Sequence, residues 1–226
     1  MIRQILLDTE TTGLEPTKGH RIIEIAAVEL INRRFTGNYW HYYINPDRPI
    51  DEGAQKVHGI TAEFLKDKLR FADIAQEFLD YIQDSDLIIH NAPFDLSFLN
   101  HEYKLLKKDT IKKFQLLENR CTIIDTLAMA RQKHRGQKNN LDALCKRYQV
   151  DNSKRDWHGA LIDAELLGWV YLAMTGGQKS LFDGTSEETN DSWHGKKQTK
   201  IKRVVNHLKI LRASPEEIAL DDAYYD

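Results

Sequence analysis

The chain has 226 residues, of which 41% are hydrophobic and 29% are charged, and its formal net charge is −2. This length fits one domain of about 150–200 residues with an additional segment, and the weak net charge does not indicate a general polyanion binder. The two cysteines lack a CxxC spacing, and neither a leader pattern nor an apolar stretch of about 18 residues occurs, which predicts a cytoplasmic protein without a membrane span.

The hydrophobic pattern predicts strands first and then alternating helices and strands. Strands are predicted for residues 2–10, 21–31, 35–45 and 86–91, and for the start of CTIIDTLAMARQ. Helices are predicted for residues 71–83, from Pro93 onward, for the end of CTIIDTLAMARQ, from a cap at Asn140, and for residues 157–177. This order predicts an α/β fold with a mixed sheet, antiparallel in part and covered by helices.

The character of the sequence changes after Gly177. Residues 178–200 are polar and mostly without periodicity, which predicts a flexible linker. Residues 201–212 are basic and place their apolar side chains on one helical face. The expected organisation is a domain over 1–177, the linker over 178–200 and a partner-binding segment over 201–226.

Two carboxylates, Asp8 and Glu10, interrupt the first predicted strand. Residues i and i+2 of a strand point to the same side, so the two acids converge. Ionised carboxylates this close repel each other and lose hydration, and a divalent cation removes both costs. Oxygen ligands favour Mg²⁺ or Mn²⁺ over zinc. The alternative is a strand end at which both acids reach solvent, and the spacing alone does not separate the two interpretations.

Asp95, Asp163 and His158 extend this pattern. Asp95 follows a buried strand, where open α/β sheets place their sites, although compensation of a helix dipole is the common use of such an aspartate. Asp163 lies within a predicted helix among apolar residues, which favours partial burial beside a partner. His158 stands about 140° from Asp163 on a regular helix, so we expect it on the entry loop or first turn. Four acids and a histidine suggest metal-assisted phosphodiester hydrolysis.

Three stretches resemble the motifs of the DEDDh 3′→5′ exonucleases, in the same order. They are Asp8-Thr9-Glu10-Thr11-Thr12-Gly13-Leu14, HNAPFD ending at Asp95, and His158-x4-Asp163. VHGIT (57–61) resembles a further element that lies near the substrate's 3′ end in that family. The resemblance covers residues 1–177 and is closest to the proofreading members. It implies a ribonuclease H-like mixed β-sheet flanked by α-helices, and removal of mispaired 3′-terminal DNA nucleotides as 5′-monophosphates.

The resemblance also implies a role for each matching residue. Asp8, Glu10 and Asp163 would hold the tighter of two Mg²⁺ or Mn²⁺ ions. Asp8 would bridge to the second ion, which Asp95 helps to position, and His158 would be the general base. Asp8, Glu10 and Asp163 would also contact the terminal nucleotide. The other walls of its pocket would be Thr9, Thr11, Gly13, Leu14, His58, Asn91 and Phe94. Core packing is the alternative for Leu14 and Phe94.

The C-terminal region suggests partners. Gln178-Lys179-Ser180-Leu181-Phe182 resembles the short peptides that bind the bacterial sliding clamp, with Gln178, Leu181 and Phe182 as contacts. In the alternative, Leu181 and Phe182 fold back onto their own domain. The resemblance implies that the basic segment docks on the catalytic (alpha) subunit of a replicative polymerase in the bacterial cytosol, with a small accessory (theta-like) subunit as a further partner. Such tethering raises the local concentration near a frayed or single-stranded DNA 3′ end.

The role of two basic runs stays open, and three other functions are alternatives to the DNA exonuclease. Residues 104–113 and 131–138 carry five lysines and four Lys/Arg, and they either guide a single strand or form solvated helix faces. An RNA 3′-end trimming exoribonuclease would use the same motifs. An aspartyl-phosphate phosphatase would explain DTETT but fits Glu10 poorly. A non-catalytic adaptor has no need of so many mutually repelling acids.

Overall fold

The computed structural model describes residues 2–106, 115–153 and 157–176. The chain divides into two units after Lys179, and the described residues belong to the first. The predicted linker, the peptide Gln178–Phe182 and the basic segment 201–212 lie outside the described residues, as does most of the first basic run.

A five-stranded mixed sheet forms the centre of the described part of the chain. Its strands are β1 (Arg3–Thr11), β2 (Ile22–Ile31), β3 (Arg34–Tyr43), β4 (Asp86–Ile89) and β5 (Ile123–Asp125). Their order is β3-β2-β1-β4-β5, with β1, β2 and β3 antiparallel and with β4 parallel to both β1 and β5. The predicted mixed sheet is therefore confirmed, and β1 joins its antiparallel and parallel halves.

Seven α-helices occur within the described ranges. They are α1 (Glu52–His58), α2 (Ala62–Leu65), α3 (Phe71–Ile82), α4 (Ala92–Leu105), α5 (Thr126–Lys133), α6 (Leu141–Tyr148) and α7 (Ala160–Thr175). The five helices α3 to α7 confirm the sequence expectations. Helices α1 and α2 were not predicted, because each is short and buries only one side chain, His58 or Leu65. None of these helices has both the length and the apolar content needed to cross a membrane.

A hydrophobic core covers each face of the sheet. Ile5 and Leu7 of β1 pack with α3 and α4 on one face, and Leu6 packs with α6 and α7 on the other. All three side chains are fully buried, and each contributes about 1.5–3 kcal/mol of hydrophobic stabilisation. A shift of β1 by one residue would exchange the two faces, so the packing fixes Asp8 on the side of Leu6.

A partly buried ion pair connects helix α4 to the antiparallel half of the sheet. Arg21 donates two hydrogen bonds to the Glu102 carboxylate, at 2.7 and 2.6 Å, and the Ile22 backbone N–H donates a third at 3.2 Å. Glu102 is buried, and bidentate arginine–carboxylate pairs are among the stronger hydrogen-bonded contacts. These contacts fix the position of α4, the helix that carries Asp95, relative to the start of β2.

Candidate active site

The fold gathers the five residues that the sequence singled out. Asp8 and Glu10 lie near the end of β1, Asp95 lies in the first turn of α4, and His158 and Asp163 flank the start of α7. One expectation needs correction, because α7 begins at Ala160 rather than at residue 157. Asp163 therefore lies in the first helical turn and not in mid-helix. In the first turn, its negative charge interacts favourably with the helix dipole.

Glu10, His158 and Asp163 form the tightest group. One ligand atom from each residue lies within 4.8 Å of the others, which is close enough for a shared metal ion. His158 Nδ1 lies 3.3 Å from Asp163 Oδ2, and the His158 side chain is 44% exposed while that of Asp163 is 6% exposed. His158 precedes the helix, so the prediction that it lies on the entry loop is confirmed. Its imidazole faces a buried carboxylate and remains accessible to water.

Asp8 lies close enough to these acids to be repelled by their negative charges. Burial raises the pKa of Asp8 well above its ordinary value, and the charges of Asp95, Glu10, Asp163 and Glu24 raise it further. A carboxylate in such surroundings is costly unless a cation compensates it. The clustered oxygens suit a hard divalent ion. The residues therefore fit a divalent metal centre.

Asp95 is held from the opposite side of β1. Its side chain is buried, and the Thr9 hydroxyl donates a hydrogen bond of 2.6 Å to its Oδ1. Burial raises the pKa of Asp95 to about 7, although the bond from Thr9 favours the ionised form and opposes that rise. The helix-dipole alternative for Asp95 is compatible with this position, but a surface capping role is not, because the carboxylate is buried.

Glu24 is a member of the acidic group that sequence reasoning missed. It lies directly opposite Glu10 in the β1–β2 ladder and is 1% exposed. His41 Nε2 lies 2.7 Å from Glu24 Oε1, and Glu24 Oε2 has no hydrogen-bond partner among the described residues. A charge within the apolar run IIEIAA was visible in the sequence. The register that places it beside Glu10 was not, because a ten-residue connection joins the two strands.

The end of β1 and the loop after it contain three of the predicted pocket residues, Thr11, Gly13 and Leu14. The Thr11 hydroxyl donates a hydrogen bond of 2.7 Å to the Gly13 carbonyl. A Cβ at Gly13 would lie 2.3 Å from His20 Cε1, so a larger residue would displace that imidazole. Leu14 is 80% exposed, and the core-packing alternative for it is therefore wrong.

Two other predicted pocket residues, His58 and Phe94, also make contacts that stabilise the fold. His58 is buried, its Nδ1 accepts a hydrogen bond of 3.0 Å from the Ile60 backbone N–H, and burial lowers its pKa. These contacts favour a neutral imidazole that carries its hydrogen on Nε2. Phe94 packs against the core with its ring 5.1 Å from that of Phe98, so the core-packing alternative holds in part for this residue.

Asn91 lies at the edge of an open polar groove. Its backbone is left-handed, with φ of 71°, and its N–H donates a hydrogen bond of 3.2 Å to Asp125. Asn91, Arg131 and Arg135 are among the residues that line a groove of about 650 Å³. Both arginines are exposed and belong to the second basic run. The groove that includes Asn91 therefore carries positive charge.

A protein-family model confirms the class of protein that the fold and site indicate. The family described as Exonuclease, RNase_T, matches residues 5–171. The solved structure of exonuclease X in complex with 5′ overhanging duplex DNA is 26% identical, with a TM-score of 0.57, and the match covers 77% of this chain and 90% of that one. The chain has the ribonuclease H-like fold of an exonuclease.

The relatives narrow this class to one family. The DNA polymerase III subunit epsilon of Escherichia coli (strain K12) is 49% identical over 228 residues, covering 99% of this chain and 92% of the relative. The subunit of the same name from Rickettsia felis is 56% identical over 192 residues, covering 84% and 82%. The chain therefore belongs to the DNA polymerase III epsilon subunit family.

Proposed function

We propose that the chain proofreads DNA replication, removing mispaired 3′-terminal nucleotides as 5′-monophosphates. It is a 3′→5′ exonuclease by family, and the observation that carries the proposal is the convergence of four acids and His158 at one site. The same acids could trim RNA, but a match over 99% of the chain to an epsilon subunit favours DNA. The exonuclease family match also argues against the phosphatase alternative.

The acids support a two-metal centre. Asp8, Glu10 and Asp163 would hold one Mg²⁺ or Mn²⁺ ion, and Asp8 and Asp95 would hold the second. When bound, two such ions stabilise the charges of the attacking and leaving oxygens of a phosphodiester. The raised pKa of Asp8 supports this assignment, because burial and the charges of the other proposed ligands, together with that of Glu24, all raise it.

His158 is the proposed general base. Its half-exposed imidazole lies beside the acids and can accept the proton of an attacking water. Asp163, with its Oδ2 3.3 Å from His158 Nδ1, orients the ring. No other described histidine belongs to the compact Glu10–Asp163 group.

The surroundings of the acids would receive the 3′ end. Leu14 is largely exposed and can wedge against the terminal base, with Phe94 as a second apolar contact. Thr9, Thr11, Gly13, His58 and Asn91 would complete the pocket. Arg131 and Arg135 would contact the phosphates of the preceding nucleotides, because they line the same groove as Asn91.

The C-terminal region would attach the exonuclease to the replisome in the bacterial cytosol. Gln178, Leu181 and Phe182 would bind the sliding clamp, and residues 201–226 would bind the catalytic (alpha) subunit. A small accessory (theta-like) subunit is a further proposed partner. These assignments rest on sequence resemblance and on near full-length identity to epsilon subunits.

The catalytic proposal is tested by digesting matched DNA and RNA oligonucleotides with and without Mg²⁺. We expect stepwise loss of nucleotides from the DNA 3′ end that EDTA stops. Preference for RNA would favour the trimming alternative, and unchanged digestion in EDTA would contradict the metal centre.

The tail proposal has a separate test. Combined Leu181→Ala and Phe182→Ala should weaken sliding-clamp binding while digestion of free oligonucleotides stays normal. Lys179→Ala is the matched control, because Lys179 lies in the same peptide but is not one of its proposed contacts. Clamp affinity unchanged by the double substitution would return these two residues to the fold-back alternative.

A further inference from the structure

Trp157 is a large exposed side chain immediately before the proposed general base. Its residue is 58% exposed, although it precedes a well-packed apolar helix. An indole left in solvent at this position has no role in either hydrophobic core. Its contacts point instead to the neighbouring helix α1.

The indole ring of Trp157 lies against the backbone of Gly59. A Cβ at Gly59 would lie 3.0 Å from Trp157 Cδ2 and 3.2 Å from Cε3, closer than ordinary packing allows. Gly59 ends α1 with a φ of 71°, and its N–H donates a hydrogen bond of 2.8 Å to the Gln55 carbonyl. The contact and the left-handed backbone therefore both favour glycine at this position.

A second contact attaches the same loop to the same helix end. The His158 backbone N–H donates a hydrogen bond of 3.2 Å to the Val57 carbonyl. The two attachment points, Val57 and Gly59, flank His58, which the proposed function places in the wall of the nucleotide pocket. The two imidazoles are close enough for the charge of His158 to influence the pKa of His58.

We infer that Trp157 is a positioning residue for His158. The indole docks on Gly59 and, with the bond to Val57, holds the loop so that the His158 imidazole lies beside Asp163. Loss of the ring removes the contact with Gly59 but keeps the 3.2 Å backbone hydrogen bond from His158 to Val57. The inference rests on the proposed role of His158, and it links the general base to the His58 wall of the pocket.

The main test is the kinetics of Trp157→Ala on a single-stranded DNA oligonucleotide with saturating Mg²⁺. Displacement of a catalytic group by about 1 Å can lower turnover about 10²-fold, so we expect kcat to fall by about 10–100-fold with KM nearly unchanged. Trp157→Phe retains a flat ring and should recover most of the loss. Trp169→Ala is the matched control, because Trp169 is also exposed but packs on Phe35, with 4.5 Å between ring centroids.

A double substitution separates positioning from general destabilisation. In a His158→Ala background, measured at high enzyme concentration, Trp157→Ala should cause little further loss, because the group that it positions is gone. Gly59→Ala should also lower kcat, and its effect should overlap with that of Trp157→Ala. Gly53→Ala is its control, since Gly53 lies in α1 with no heavy atom within 4 Å of an added Cβ.

Three results would overturn the inference. A rise in KM with unchanged kcat would make Trp157 a base-stacking contact. An undiminished loss in the His158→Ala background would make it a structural residue. If Trp157→Ala has normal kinetics while His158→Ala is strongly impaired, Trp157 does not position the base, and the proposed role of His158 still stands. If His158→Ala is fully active, both the role of His158 as base and the positioning role of Trp157 are contradicted.

Discussion

Asp95 and Asp163 reach β1 from opposite faces of the sheet, and their surroundings differ. Asp95 is enclosed by the core around α4 and accepts a short hydrogen bond from Thr9. Asp163 is equally buried, but its neighbour His158 is 44% exposed. One side of the site therefore fixes a carboxylate in place, and the other opens toward water and substrate. A hydrolytic site needs both, because the ligands must stay rigid while the base meets a changing reactant.

The largest expected loss of activity comes from substitution of Asp8, which interacts with both Asp95 and Asp163. Asp8→Asn should reduce Mg²⁺-dependent digestion of a 3′-labelled strand below detection. The melting temperature in EDTA should not fall, because the amide removes a charge that its neighbours repel.

Asp67→Asn is the matched control for Asp8→Asn, since Asp67 is exposed in a loop. It should behave as wild type in both assays. Full activity of Asp8→Asn would contradict the two-metal centre, and loss of its fold in EDTA would contradict the repulsion argument.

His158→Ala tests the open side alone. Removal of a general base costs about 10²–10⁴-fold in rate, so kcat should fall in that range while affinity for the oligonucleotide changes little. Affinity measured by fluorescence anisotropy in Ca²⁺ would separate the two quantities. Equal losses in binding and turnover would remove the base assignment.

Thr9→Val tests the enclosed side alone. The Thr9 hydroxyl bond favours ionised Asp95, so its loss should raise the pKa of Asp95 further. Loss of such an outer partner weakens metal binding about 10–100-fold, and the Mg²⁺ concentration for half-maximal rate should rise accordingly. The defect should be larger at pH 6 than at pH 8, because less Asp95 is ionised at the lower pH.

Thr36→Val is the control for Thr9→Val, because Thr36, exposed on the edge strand β3, donates a similar hydrogen bond of 2.9 Å to Glu29, which is not one of the proposed metal ligands. It should leave the Mg²⁺ requirement unchanged. An unchanged requirement in Thr9→Val would show that the hydroxyl does not tune the site.

The smallest effect is a pH-dependent stability difference in EDTA. Asp95 in the metal-free fold has a pKa raised to about 7 from 3.8, so the folded protein holds a proton there that the unfolded chain releases. That contribution is present at low pH and is lost as pH rises through about 7. The melting temperature of wild type relative to Asp95→Asn should therefore fall by a few degrees between pH 6 and pH 8, at about 2–4 °C per kcal/mol.

Buried histidines with lowered pKa, such as His58 and His90, act in the opposite direction but are common to both proteins and cancel in the difference. Mg²⁺ at pH 8 should restore wild type. A difference that rises with pH would contradict the raised pKa of Asp95.

Only some residues of the site could be predicted from the sequence. Strand alternation alone placed Asp8 and Glu10 on one side of the strand. Local context alone favoured helix-dipole compensation for Asp95, and the resemblance to a family gave Asp95 and His158 their roles. Glu24 escaped notice, because its position beside Glu10 depends on the register of two strands separated by a long connection. The contact of Trp157 with Gly59 joins residues almost one hundred positions apart, and no local pattern encodes it.

The central claim is that the clustered acids form a centre for two divalent ions. The most direct measurement is the number of Mn²⁺ ions bound in the presence of a nucleoside 5′-monophosphate, followed by electron paramagnetic resonance. We expect about two ions for wild type, as in other two-metal sites, and weakened or incomplete binding for Asp8→Asn. Absence of Mn²⁺ binding in wild type, or identical binding in Asp8→Asn, would contradict the claim.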